Sequence, residues 1–327
     1  MSKLSRLGDP LEKLNGGIDF EIFRSLLEDK LTIEPKGVGG RPPYEYVLMF
    51  KIMILQRYYN LSDEQVEYQI NDRMSFMRFL DLTIADDIPD SRTVWTFRER
   101  LTDLDLVEAL FDLFIKELES LNMIVNEGKI IDASFVEAPR QRNSKEENTQ
   151  IKSGEIPKSF TDNPHKLAQK DTDARWTKKN NVNYFGYKNH VKQDAKSKLI
   201  TEYIVTDASV HDSNATATLL NENDRGESFY ADSAYSGAPQ EAIIEEKGMA
   251  NQVCEKGARN RPLTEEQITN NREKSRIRSR VEHIFGFMEM SMNGMYIYNI
   301  GIKRATAVIG LMNLTYNMFR KIQLVAS

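Results

Sequence analysis

Apolar and polar positions alternate with two different periods along this chain, and the change comes near residue 125. Before it, apolar residues recur every three or four positions, the spacing of helices with one buried face. Phe20-Glu21-Ile22-Phe23-Arg24-Ser25-Leu26-Leu27 is such a segment, and the glycine- and proline-rich stretch 37–43 breaks it. Residues 44–59 are apolar almost all round, which predicts a core helix of an N-terminal domain. Ser62-Asp63-Glu64-Gln65 matches a capping box and starts a helix toward Asn71. A short helix is expected over 75–82, Pro89-Asp90-Ser91 punctuates, and an amphipathic helix follows over 107–121. Between them, 92–101 sets Arg92, Thr93, Thr96, Arg98 and Arg100 among apolar Val94, Trp95 and Phe97. Short helices with tight turns and a basic last member suit a helix-turn-helix-like DNA reader, and a plain helical bundle fits equally well.

Beyond the turn signal Asn126-Glu127-Gly128, the pattern is that of a sheet. Residues 129–136 are mostly apolar and β-branched, as in a strand buried on both faces. Asp132 interrupts this strand, and an isolated buried carboxylate costs several kcal/mol unless it is paired, protonated or bound to metal. Residues 137–183 are poor in large apolar side chains and lack a period, which predicts a long, partly mobile insertion that orders on a ligand. Its end, Arg175-Trp176-Thr177-Lys178-Lys179, mixes an aromatic with cations; it suits a phosphate backbone and a stacked base, or a solvated loop with a buried Trp. Residues 184–192 and 199–205 read as antiparallel strands around a turn, and 228–232 as a short strand ending in Asp232. A helix over 236–247, a strand over 250–254 and a long helix from Glu265 to about Met292 follow. The stripe of that last helix is Ile277, Val281, Ile284, Phe285, Met288 and Met292, with Glu282 beside it. This order describes a mixed sheet flanked by helices, so the fold class is α+β, with a helical domain over 1–125 and a second over 126–327.

Composition narrows the class. The 327 residues are 40% hydrophobic and 28% charged, as in an ordinary globular protein. The single Cys254 excludes an internal disulfide framework and suits a reducing cytoplasm. The longest apolar runs are too short or too polar to span a bilayer, so no membrane is expected. A net charge of −5 argues weakly against nucleic acid. The charge is segregated, however: cations outnumber acids over 140–198 and 256–280, while 9–34 and 81–127 are acid-rich. Local patches decide phosphate binding.

Three acids, Asp132 and Asp232 on strands and Glu282 on a helix, could converge on a pair of divalent cations. Hard oxygen ligands suit Mg²⁺. Two ions roughly 3.5–4 Å apart would activate an attacking oxygen and stabilise a leaving one in phosphoryl transfer. His211-Asp212 resembles the metal pair of phosphohydrolases, but no preceding His in a suitable context completes such a set; a turn with Asp212 capping the next helix is the simpler reading. No Walker-type glycine loop is present, so ATP is not implied.

Five blocks bear on this chemistry: Ile131-Asp132-Ala133-Ser134, Gly186-Tyr187-Lys188-Asn189-His190, Val210-His211-Asp212-Ser213, Ala231-Asp232-Ser233-Ala234-Tyr235, and the run from Arg278 through Val281-Glu282-His283 to Gly286. Together they resemble the successive blocks of bacterial insertion-sequence transposases of the DDE type, of the insertion-sequence-five group. Gly40-Arg41-Pro42-Pro43 and Asp90-Ser91-Arg92-Thr93 resemble that group's N-terminal domain. The resemblance implies an RNase H-like catalytic core in which Asp132, Asp232 and Glu282 bind the metal, Mg²⁺ with Mn²⁺ as a substitute. It implies cleavage at the element's ends and their joining to target DNA, so the partner is double-stranded DNA, with a homodimer assembled on it. Arg278 would contact DNA near the site, and Arg276, Arg280, Lys188, Arg175, Trp176, Lys178, Lys179 and Arg92 are the further expected DNA contacts. One position departs from the group: seven residues after Glu282, where a Lys is usual, stands Glu289. That acid keeps open a second reading, a non-catalytic DNA-binding regulator of its own element.

Overall fold

A computed structural model of the chain describes residues 6, 8–32, 42–258 and 261–326. The predicted break at 37–43 lies outside the described residues except for Pro42 and Pro43, as does half of the Gly40–Pro43 motif. Contacts divide the chain into two units: Met1–Met123 with Met290–Gly294 and Gly310–Ser327, and Ile124–Glu289 with Met295–Ile309. Nothing in the sequence marks 290–294 and 310–327 as grouping with the first helices.

In the N-terminal part of the first unit, the described helices are α1 (Pro10–Gly17), α2 (Arg24–Leu31), α3 (Tyr46–Tyr58), α4 (Asp63–Asp72), α5 (Met74–Phe79), α6 (Ser91–Asp103) and α7 (Leu106–Ser120). Three of these starts are fixed by a side-chain cap that the sequence carries. Asp9 caps α1 ahead of Pro10, Asp90 caps α6, and the Ser62/Gln65 capping box opens α4. Helix α3 is buried over most of its surface, as its all-round apolar sequence requires. It packs into an aromatic core in which the Phe23 and Phe50 rings lie 4.7 Å apart and Phe20 meets Phe79 edge-on at 5.7 Å. Arg98 of α6 reaches back to Asp63 at the start of α4, with 2.9 Å between Nη2 and Oδ2.

The second unit carries a six-stranded sheet: β1 (Gly128–Glu137), β2 (Arg175–Lys179), β3 (Val182–Asp194), β4 (Ile200–Asp207), β5 (Ser228–Tyr230) and β6 (Ala250–Asn251). Strand β1 lies between β3, antiparallel to it, and β5, parallel to it; β4 pairs antiparallel with β3, and β6 parallel with β5. Three antiparallel strands followed by two that run parallel to the first is the RNase H-like connectivity. On the free edge of β3, β2 occupies 182–186 and β4 occupies 187–193. At that handover Gly186 sits at φ +147°, and a Cβ there would run into the Val136 carbonyl and the Ala138 N–H. Only glycine fits.

The insertion over 137–183 is more ordered than its composition suggested. It holds the short helices α8 (Lys145–Lys152), α9 (Lys158–Thr161) and α10 (Pro164–Leu167), then strand β2. Ser144 and Glu147 form a capping box that is visible in the sequence. Asn180 and Asn181, at φ +49° and +62°, form the two-residue turn of the β2–β3 hairpin. Helix α11 (Thr216–Leu219) follows β4, and α12 (Ala238–Glu246) joins β5 to β6. The long helix expected from Glu265 is interrupted: α13 (Glu265–Arg278) gives way to a 3₁₀ turn over Ser279–Val281 before α14 (Glu282–Met290). Helix α15 (Ile302–Val325) closes the chain, and its residues Ala305, Val308 and Ile309 pack with Val136, Phe185 and Tyr187 of the sheet.

Candidate active site

Strands β1 and β5 pair in register from Gly128 with Ser228 to Ile130 with Tyr230, and there the pairing stops. Asp132 and Asp232 each stand two residues past that last pair. Where parallel strands end, their carboxyl edges open a crevice that side chains can line. The Asp232 carboxylate caps the 3₁₀ turn Ser233–Tyr235, its Oδ1 accepting from the Ala234 N–H at 2.8 Å. Asp132 Oδ1 accepts from the Ala133 N–H at 2.8 Å, and its Oδ2 lies 3.2 Å from Arg278 Nη1. Burial pushes the Asp132 carboxyl up to about 6; the Ala133 N–H and Arg278 oppose this, and the charge of Asp232 adds to it.

The third acid is held differently. Glu282 opens α14 with an exposed side chain, and its Oε1 lies 3.2 Å from Nη2 of the same Arg278. One guanidinium therefore bridges Asp132 and Glu282. The 3₁₀ turn between Arg278 and Glu282 rotates the helix, yet Arg278 is long enough to span it. Within α14, Glu282 and Glu289 are seven positions apart and share one exposed face.

Behind the strand ends lies a polar set that the sequence did not single out as one group. Lys188, expected on the DNA surface, is 8% exposed; its ammonium lies 2.7 Å from Asp212 Oδ1 and donates to the Val210 carbonyl at 2.6 Å. It is not presented to a phosphate, which corrects that expectation: the Val210 carbonyl and Asp212 take up its ammonium in the interior. The expected cap is corrected too. His211 caps the turn that Asp212 begins, while Asp212 turns inward to Lys188. His190, fully buried, contacts Thr206 Oγ1 at 2.8 Å, and burial lowers its pKa to about 4, keeping the ring neutral at pH 7. Tyr235, three residues after Asp232, is buried as well. An aromatic with a polar tip one 3₁₀ turn after an acid was the signal that could have found it.

Of the other expected DNA contacts, Arg92, Trp176, Lys178, Lys179, Arg276 and Arg280 are exposed. Arg175 turns back to the carbonyls of Thr172 and Ala174, and Arg280 donates to the Ala195 carbonyl at 2.8 Å. Trp176 packs on Phe185 with Arg140 over its ring at 5.8 Å. Lys179 sits over Phe135 at 5.8 Å, and its charge reaches Asp132. In the first unit, Arg92, Thr93, Thr96 and Arg100 line a groove of about 370 Å³ together with Tyr44 and Tyr46.

Among the described residues, no three His, Cys, Asp or Glu side chains stand close enough together to hold a metal ion. Asp132 and Asp232 suit a hard cation by donor type and by their mutual repulsion, which a cation would relieve. Glu282 would first have to release Arg278. No helix among the described residues is long and apolar enough to cross a membrane.

Residues 1–100 match the transposase domain family DUF772, and residues 125–318 match the transposase DDE domain. A cryo-EM structure of the piggyBac transposase synaptic complex with hairpin DNA is similar at 12% identity and a TM-score of 0.46, over 97% of this chain and 75% of that one. With the DDE domain matched over more than half of its length, the chain belongs to the DDE-domain transposases, enzymes that cut DNA strands and transfer them.

Proposed function

We propose that this transposase binds the ends of its own insertion sequence, cleaves them by metal-dependent hydrolysis and joins them to target DNA. The observation that carries the reading is the placement of Asp132 and Asp232 at equivalent positions, two residues beyond the last β1–β5 pair, where the charge of Asp232 acts on Asp132. DDE transposases work with divalent metals; Mg²⁺ is the ion proposed here, with Mn²⁺ able to substitute. Asp132, Asp232 and Glu282 would hold it, and it would supply charge stabilisation at the phosphate and a more acidic attacking hydroxyl. Arg278 would exchange the two acids for a DNA phosphate, which its planar guanidinium is built to grip. Exposed Arg92, Arg276, Lys178 and Lys179, with Trp176, would follow the duplex backbone. The assembly proposed is a homodimer on DNA, in the cytoplasm, where the unpaired Cys254 is at home.

The test is strand cleavage of a duplex carrying the element's end. Asp132→Asn, Asp232→Asn and Glu282→Gln should each abolish cleavage in Mg²⁺ and leave duplex binding intact. Cleavage retained by Asp232→Asn would remove the triad. Binding without cleavage by the unaltered chain would instead support the regulator.

A further inference from the structure

Tyr235 is 1% exposed, and its hydroxyl is a buried oxygen without a hydrogen-bond partner. Such a group is costly to leave unmade, so its surroundings need a reason. The ring lies in one buried apolar cluster with Ile131, Ala231 and Ala215, the first two being the chain neighbours of Asp132 and Asp232. It belongs to the same 3₁₀ turn that Asp232 caps, so the turn that aims the carboxylate also aims the phenol. The turn beginning at Asp212 packs against it. Burial holds the hydroxyl well above the ordinary tyrosine pKa, and the charges of Asp132, Asp212 and Asp232 add to this, so it stays a neutral donor. A donor with no acceptor is therefore buried on the turn that Asp232 caps. Asp132 has spent its oxygens on Ala133 and Arg278, Asp232 uses one on Ala234, and Asp212 faces Lys188.

We propose that Tyr235 is a positioning residue of this site, its hydroxyl donating to a carboxylate oxygen of Asp132 or Asp232 once a divalent cation binds these two acids and replaces Arg278 at Asp132. This rests on reading those two acids as the cation's ligands. Groups that orient the ligands of a metal change its affinity when removed, by roughly 10- to 100-fold. A tyrosine that merely fills space does not.

The experiment uses the full chain without DNA. Mn²⁺ affinity is measured by paramagnetic titration, and the unfolding midpoint is measured in chelator, for the unaltered protein, Tyr235→Phe and Asp132→Asn. Tyr235→Phe should weaken Mn²⁺ binding by about tenfold or more. Its metal-free midpoint should stay level or rise, because the variant lacks the stranded hydroxyl. Mn²⁺ should also produce a tyrosine difference absorbance in the unaltered protein that Tyr235→Phe lacks. Equal affinities, or an affinity lost together with metal-free stability, would overturn the proposal and leave Tyr235 as packing. Binding that Asp132→Asn leaves untouched would mean that these acids are not the ligands, and both readings would fall.

Discussion

Replacing Asp132 by Asn should make the metal-free protein more stable at neutral pH, although it destroys a proposed catalytic group. The size follows from the site. The carboxyl titrates at about 6 against the usual 3.8, chiefly because it is buried. At about 1.4 kcal/mol per pH unit, that difference is roughly 3 kcal/mol. The sign is fixed by linkage. The folded pKa is raised, so folding favours the protonated acid; this contribution is fully present below pH 3.8 and is lost as pH rises through about 6. At pH 8 the folded chain carries the cost of a buried charge that Asn does not have. The side chain is only 18% exposed, so solvent screens little of it, and Arg278 keeps Glu282 as a partner in the variant. Trp95→Phe as background leaves Trp176 as the sole tryptophan, in the second unit, so its fluorescence follows that unit in urea. In chelator at pH 8, Asp132→Asn should gain up to about 3 kcal/mol, or about 1 M in urea midpoint. The gap should close between pH 6 and 4. Added Mg²⁺ should stabilise the parent and not the variant. A gap that does not change with pH, or a variant less stable at pH 8, would refute the assignment of a buried, poorly compensated charge to Asp132.

Lys188→Met strands Asp212 beside the sheet, so it should destabilise by about 3 kcal/mol while leaving the salt dependence of DNA binding unchanged; a flattened salt dependence would return Lys188 to the DNA surface. Neutralising Lys178 and Lys179 together should lower the log–log salt slope of duplex binding by roughly one to two, through lost counterion release, and an unchanged slope would make the hairpin an ordinary solvated loop. Glu289→Lys should strengthen binding to the element's ends and raise cleavage more than Glu266→Lys does, because Glu289 shares the exposed face of Glu282 in α14. Equal rates for both variants and the parent would mean that this face does not meet DNA.

The sequence by itself determined the elements and the acids. Periodicity located α3, α4, α6 and α7 because each buries a face or a whole surface, and burial is written in every third or fourth residue. The cap at Ser62 was legible because its hydrogen bonds close within four residues. Asp132 stood out because a carboxylate in an apolar strand needs a reason. The insertion was misjudged because its helices and β2 are short and largely exposed, so little apolar pattern is left to read.

Tertiary structure decided which groups face one another. Lys188 looks like any surface cation until the turn after β4 supplies the Val210 carbonyl and Asp212. Arg278 and Glu282 are four apart in sequence, but Asp132, 146 residues away, joins them only because β1 and the end of α13 meet. The 3₁₀ turn over Ser279–Val281 left no mark on the apolar stripe, which tolerates a local change of pitch. Periodicity records the direction in which a side chain points relative to its own element. The partner it finds there, and hence its charge state, depends on contacts between elements far apart in the chain.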